Sequence, residues 1–143
     1  MTSIKNLSII HLALIAGQIM FIAVVLVLKG QYEIILQPEN DLFFFIVPGF
    51  AVMALLSSNM IFKKLLDKAK LLNQHSDKLN NYRAACIVRY ALVEGPSLFA
   101  IICYYLTGNL FYIFISGFCI LYLFTLRPTK EKVEMDLMIE LKD

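Results

Sequence analysis

Four apolar intervals of membrane-crossing length dominate this chain and leave few folds open to it. They cover about residues 7–28, 42–62, 84–106 and 109–126. Each is close to the roughly 20 residues with which a helix, rising about 1.5 Å per residue, crosses about 30 Å of hydrocarbon. Charge is confined to what separates and follows them, chiefly 63-KKLLDKAKLLNQHSDKLNNYR-83 and 127-RPTKEKVEMDLMIELKD-143. Composition agrees, with 59% hydrophobic and 17% charged residues, against roughly 45–50% and 25% in soluble domains. The expectation is an all-α integral membrane protein of four transmembrane helices. The first interval follows one early lysine, yet it exceeds the roughly 7–15 residue core of a signal peptide and lacks a small-x-small cleavage site, so it reads as a retained helix.

Lysine and arginine accumulate on the cytoplasmic side of membrane proteins. Lys63, Lys64, Lys68, Lys70, Lys78 and Arg83 lie between the second and third intervals, whereas 31-QYEIILQPEN-40 has neither residue and the 107-TGN-109 turn is uncharged. This places both termini and the middle connector in the cytoplasm, with the spans in a cytoplasmic membrane such as the bacterial inner membrane. The net charge of +2 suggests no nucleic-acid partner; the basic connector fits topology and anionic headgroups. Cys86, Cys103 and Cys119 all fall inside spans without C-x-x-C or histidine-rich spacing, and are expected as buried free thiols. Gly95-Pro96-Ser97 begins like G-x-S-x-G but lacks the closing glycine and a strand-to-helix setting. No phosphate loop, HExxH or zinc-spaced cysteine set is present, so no catalytic residue, cofactor or metal is assigned.

An internal repeat is legible. Segment 9-IIHLALIAGQIMFIAVVLVLKG-30 aligns without a gap on 87-IVRYALVEGPSLFAIICYYLTG-108, matching Ile9, Ala13, Leu14, Gly17, Phe21, Leu28 and Gly30 to identical residues. The stretch 41-DLFFFIVPGF-50 then aligns on 109-NLFYIFISGF-118. The chain thus reads as two tandem, parallel-oriented helical hairpins, 1–62 and 84–126, joined by a charged connector over 63–83 and followed by an amphipathic tail over 127–143. Apolar stripes at helical spacing continue outside the spans, at Leu65, Leu66, Ala69 and Leu72 and at Val133, Leu137, Met138 and Leu141. These are expected to lie at the headgroups or against each other.

Glu94 is the residue that most needs explaining. It sits roughly 14 Å along its helix from the start of the third interval, inside the hydrocarbon. An ionised acid there costs at least about 2.5–3.5 kcal/mol, so neutralisation or pairing is expected. The aligned position in the first copy is Ala16, which makes the acid a property of one copy alone. Tyr90 and Ser97, at i−4 and i+3, share its helix face and could hydrogen-bond it in either protonation state, forming a candidate ion-binding set. Pro96 leaves the Leu92 carbonyl without its helical donor, so Gly95 and Pro96 form a candidate hinge. Arg89 lies about 140° around the helix from Glu94 and is expected to reach toward the headgroups. His11, Gln18, Asn59 and Arg89 form a possible polar cluster in the cytoplasmic half of the bundle.

The run 82-YRAACIVRYALVEGPSLFAIICYYL-106 resembles the carboxylate-bearing helix of subunit c of rotary ATP synthases, with an arginine at its start, Ala-Leu-x-Glu-Gly, and an aromatic and apolar tail. The likeness covers about 25 residues. It implies that Glu94 would be the acid that binds and releases a proton or a monovalent cation, with Arg83 near the cytoplasmic loop. That family has a glycine-rich partner helix; the second interval here has the single glycine Gly49. The functional expectation is a small noncatalytic membrane protein, partnered by the bilayer and by a second copy or a larger membrane complex. The alternative is a proton- or cation-linked transport component built on Glu94.

Overall fold

The computed structural model describes residues 2–30, 32–36 and 41–140, and places five helices in them. Helix α1 spans Thr2–Lys29, α2 Phe43–Lys70, α3 His75–Thr107, α4 Phe111–Thr125 and α5 Lys130–Leu137. By length and composition α1, α2 and α3 could each cross a membrane. Fifteen residues make α4 about 22 Å long. It reaches the same standard only if counted with α5, from which it is bent by 76°. That bend falls where Pro128, lacking an N–H, cannot extend a helical ladder.

Helix α3 is central, with α1, α2 and α4 all packed against it. Among the described residues α1 and α2 do not form a packed pair, so the first of the two expected hairpins is open. The reason lies in the connections. Between α3 and α4 stand only Gly108, Asn109 and Leu110, which forces these helices to be antiparallel neighbours, whereas the longer stretch from Gly30 to Leu42 lets α1 settle on α3 instead.

At the end of the bundle remote from the charged connector, two devices recur. Gly30 and Gly108 have φ of +62° and +76°, the left-handed conformation that closes helices and that glycine adopts without a Cβ penalty. Each donates its N–H to the carbonyl four residues back, Leu26 at 3.0 Å and Tyr104 at 2.7 Å. Asp41 and Asn109 open the helices that follow, accepting at Oδ1 from the N–H of Phe43 and of Phe111, both at 3.0 Å. Asn109, buried, also holds the preceding loop: its Oδ1 accepts from Ile35 N at 3.0 Å and its Nδ2 donates to Ile35 O at 2.7 Å. The Leu110 N–H donates to Glu33 O at 2.8 Å beside this pair, and Tyr112 donates its hydroxyl proton to Asp41.

At the other end α2 and α3 continue as helices well past the apolar intervals and turn over at Leu71–Gln74. The stretch read as a connector is therefore a helical hairpin tip. Helix α5 folds back on it. Thr129 caps α5 by accepting from Lys132 N at 3.3 Å, and Val133 and Leu137 are buried in the cluster that contains Leu66, Ala69 and Tyr82. Tyr82 donates to Asp136 Oδ2 at 2.8 Å. Leu66 and Ala69 of the other stripe are buried there too, so the two stripes meet each other. Met138 stands exposed beyond α5, and Leu141 lies outside the described residues.

Candidate functional site

The interior divides into two apolar clusters. One, toward the charged end, holds Ile15, Val93, Cys119 and Ile120; the other holds Val25, Ala100, Ile101 and Tyr112. On three helices the residues between these clusters include a buried polar one: Gln18 on α1, Ser97 on α3 and Ser116 on α4. The Ser97 and Ser116 hydroxyls are 2.8 Å apart. Both amide atoms of Gln18 are buried and have no hydrogen-bond partner among the described residues. Helices α1 and α3 run in the same direction, with the rings of His11 and Tyr90 4.9 Å apart. Seven residues further along each helix, about 10 Å, come Gln18 and Ser97. A polar layer therefore crosses the bundle near its middle.

Glu94 stands one turn before this layer. It is half-buried, and among the described residues it makes no hydrogen bond or ion pair. By helical rotation it lies between Tyr90, which faces α1 through His11, and the exposed pair Ala91 and Gly95. The hydroxyls read as its partners are engaged elsewhere. Tyr90 donates to Leu126 O at 3.2 Å, and Ser97 pairs with Ser116. Gly95 and Pro96 lie within α3, whose helical turns continue through both. Gly95 is exposed, and a Cβ added there would meet nothing within 4 Å.

The other polar residues divide by task. The last carbonyls of a helix have no donor within it, and in apolar surroundings they need side chains. Around the end of α4 four carbonyls receive one, and Phe124 O accepts from the Arg127 backbone N–H at 3.3 Å instead. His11 Nε2 is 2.7 Å from Leu123 O and Tyr90 reaches Leu126 O, while Thr125 Oγ1 donates to Tyr122 O at 2.7 Å and Lys132 Nζ to Thr125 O at 3.4 Å. Asn59 and Arg89 form a separate group. The Arg89 guanidinium donates to Asn59 Oδ1 and, at 3.4 Å, to the Tyr122 hydroxyl, and lies 4.6 Å over the Phe62 ring. Tyr122 also donates to Asn59 Oδ1 at 2.9 Å. Arg89 is thus bound between α2 and α4, and its Nε is buried with no partner among the described residues. The four residues read as one polar cluster, His11, Gln18, Asn59 and Arg89, occupy three different settings.

Sequence alone does not single out Tyr122, Ser116 or Asn109. Tyr122 is one of several aromatics on α4, and only its position opposite Asn59 distinguishes it. Ser116 aligns with Pro48 in the repeat and Asn109 with Asp41, a signal for the shared helix-opening role of Asp41 and Asn109 though not for the second task Asn109 performs. Among the described residues no group of three or more His, Cys, Asp or Glu is placed to hold a metal ion. Comparison with protein-family models, curated proteins and solved structures gives no match to this chain.

Proposed function

We propose that this is a noncatalytic four-span integral membrane protein that acts by associating, through the α3 face around Glu94, with a second copy or with a larger membrane complex. The observation that carries the reading is the half-buried Glu94 carboxyl, which has no partner among the described residues. In hydrocarbon such a group needs a hydrogen-bond donor, acceptor or counter-charge, and the chain's own hydroxyls nearest in sequence are taken. Ala91 and Gly95 beside it are small and exposed, which suits close helix approach. The lysines and arginines of the connector support a cytoplasmic location for both termini and the α2–α3 tip. Two tandem hairpins are supported by the matched helix ends at Gly30 and Gly108 and at Asp41 and Asn109. The opening of the first would then follow from its longer loop.

The alternative, a proton- or cation-linked transport component, uses the same acid. A cation wants several oxygens around it, and Tyr90 and Ser97 are bonded elsewhere. Proton exchange needs only one carboxyl, and a partner would have to supply the rest of the path. A neighbour at Glu94 would serve both readings. The test is cysteine cross-linking in native membranes from Gly95→Cys, with Cys86, Cys103 and Cys119 replaced, followed by mass analysis of the product. A discrete adduct, dimeric or with one recurring protein and weakened by Glu94→Leu, is expected. Monomer alone across cross-linker lengths would sink the association reading.

A further inference from the structure

A seam between α1 and α4 carries two cavities in line. The larger, 620 Å³, is a groove lined by apolar residues including Ile19, Ile22, Gly117, Phe118 and Phe124. The smaller, 140 Å³, lies toward the charged end and is lined by Ser8, His11, Leu12, Ile15, Phe124 and Arg127. Phe124 borders both. On α1 the lining residues Ser8, Leu12, Ile15, Ile19 and Ile22 follow at steps of three or four, one stripe along one helix face. From Ser8 to Ile22 the stripe is about 21 Å long, against about 15 Å for half of a hydrocarbon core with its headgroup region beyond. Polarity changes along it in a single direction, from wholly apolar to a pocket with a hydroxyl, an imidazole and a guanidinium.

A second groove, 280 Å³, adjoins the first across Phe114 and Phe118, which border both, and is otherwise lined by Ile115 and by Pro48, Ala51, Val52 and Leu55 of α2. It is apolar throughout and has no cationic end. The contrast selects the occupant. Arg127 is exposed, and no carboxylate pairs with it among the described residues. Lys132, whose Nζ donates to Thr125 O at 3.4 Å, adds a second cation at this end of α4.

The geometry points to the α1–α4 seam as a binding site for one anionic phospholipid, its acyl chain along the Ile19–Gly117 groove and its headgroup phosphate at Arg127 and Ser8. A guanidinium suits a phosphate because its planar fork can donate two parallel hydrogen bonds, and Ser8 supplies a hydroxyl donor. The inference rests on the bilayer placement proposed above. A chain recovered in the soluble fraction would overturn both; an integral chain without lipid selectivity would overturn this one alone.

The experiment is native mass spectrometry of the full chain in mild detergent, titrated with phosphatidylglycerol or phosphatidylcholine. One phosphatidylglycerol should be retained in preference to phosphatidylcholine. Arg127→Gln should weaken its retention roughly fivefold, the worth of about one cationic residue near an anionic lipid, and Arg127→Lys should largely restore it. Gly117→Leu, where a Cβ meets nothing within 4 Å, should fill the groove and reduce retention of both lipids. Val52→Phe in the other groove should leave the preference unchanged. Equal retention of the two lipids, indifference to Arg127→Gln, or a protein dimer that Gly117→Leu abolishes would each overturn the assignment, the last by making the seam a protein interface.

Discussion

Replacing Asn109 by alanine should release the loop at Glu33–Leu36 while leaving the helices in place. The side chain makes three hydrogen bonds, two to the Ile35 backbone and one to Phe111 N. At about 0.5–1.5 kcal/mol net each, their loss would amount to roughly 1.5–4.5 kcal/mol. Ile35 is 40% exposed, so water can take over part of this, and the expected effect falls in the lower half of that range, about 2 kcal/mol. Local opening would then become roughly 30-fold more frequent. The Leu110 N–H bond to Glu33 O is a backbone contact and remains available, which limits the effect to one loop. Hydrogen exchange of peptides covering Ile35, followed by mass spectrometry in detergent, reads the change directly. Exchange within threefold of the parent would refute the reasoning, as would equal acceleration in peptides from the middle of α3.

Three further outcomes are expected. Gln18→Met removes an amide whose two polar atoms have no partner and should raise stability by about 1–3 kcal/mol in thermal unfolding; a loss would mean that the amide is hydrogen-bonded in the protein. Asn59→Leu takes from Arg89 its principal acceptor and should cost about 1–3 kcal/mol, while Asn59→Leu combined with Arg89→Met should cost less than the single change, because no cation is then left without its partner; strict additivity would contradict the grouping. Met138 closes α5 at φ +54° and is 80% exposed, so Met138→Gly should stabilise the α5 end by about 1 kcal/mol, visible as slower exchange in peptides over Val133–Leu137.

Some side chains reveal their surroundings through their neighbours in sequence, and others do not. Gly30 and Gly108 follow long apolar runs, where a left-handed glycine is the natural stop, and both close helices. Val133 and Leu137 repeat at helical spacing and are buried. Glu94 was conspicuous as a lone acid between apolar residues, and it has no partner within the described chain. Spacing on one helix offers it Tyr90 and Ser97 as partners. That spacing places Tyr90 and Ser97 near Glu94 in height but cannot show that α4 offers them a carbonyl and a hydroxyl.

What the amino-acid order settles by itself is local: how many apolar helices form, where charge interrupts them, and where glycine, proline and Asx residues start and stop them. Each depends on interactions within a turn or two of helix. The tertiary structure decides everything that depends on rotation and depth between helices far apart in sequence. His11 meets the Leu123 carbonyl across 112 residues, Arg89 finds Asn59 and Tyr122 on two other helices, and α1 leaves α2 for α3 because its loop is long enough to allow it. Apolar surface is non-directional and fixes none of these pairings; the directional hydrogen bonds of a few buried polar groups, and the lengths of the connections, do.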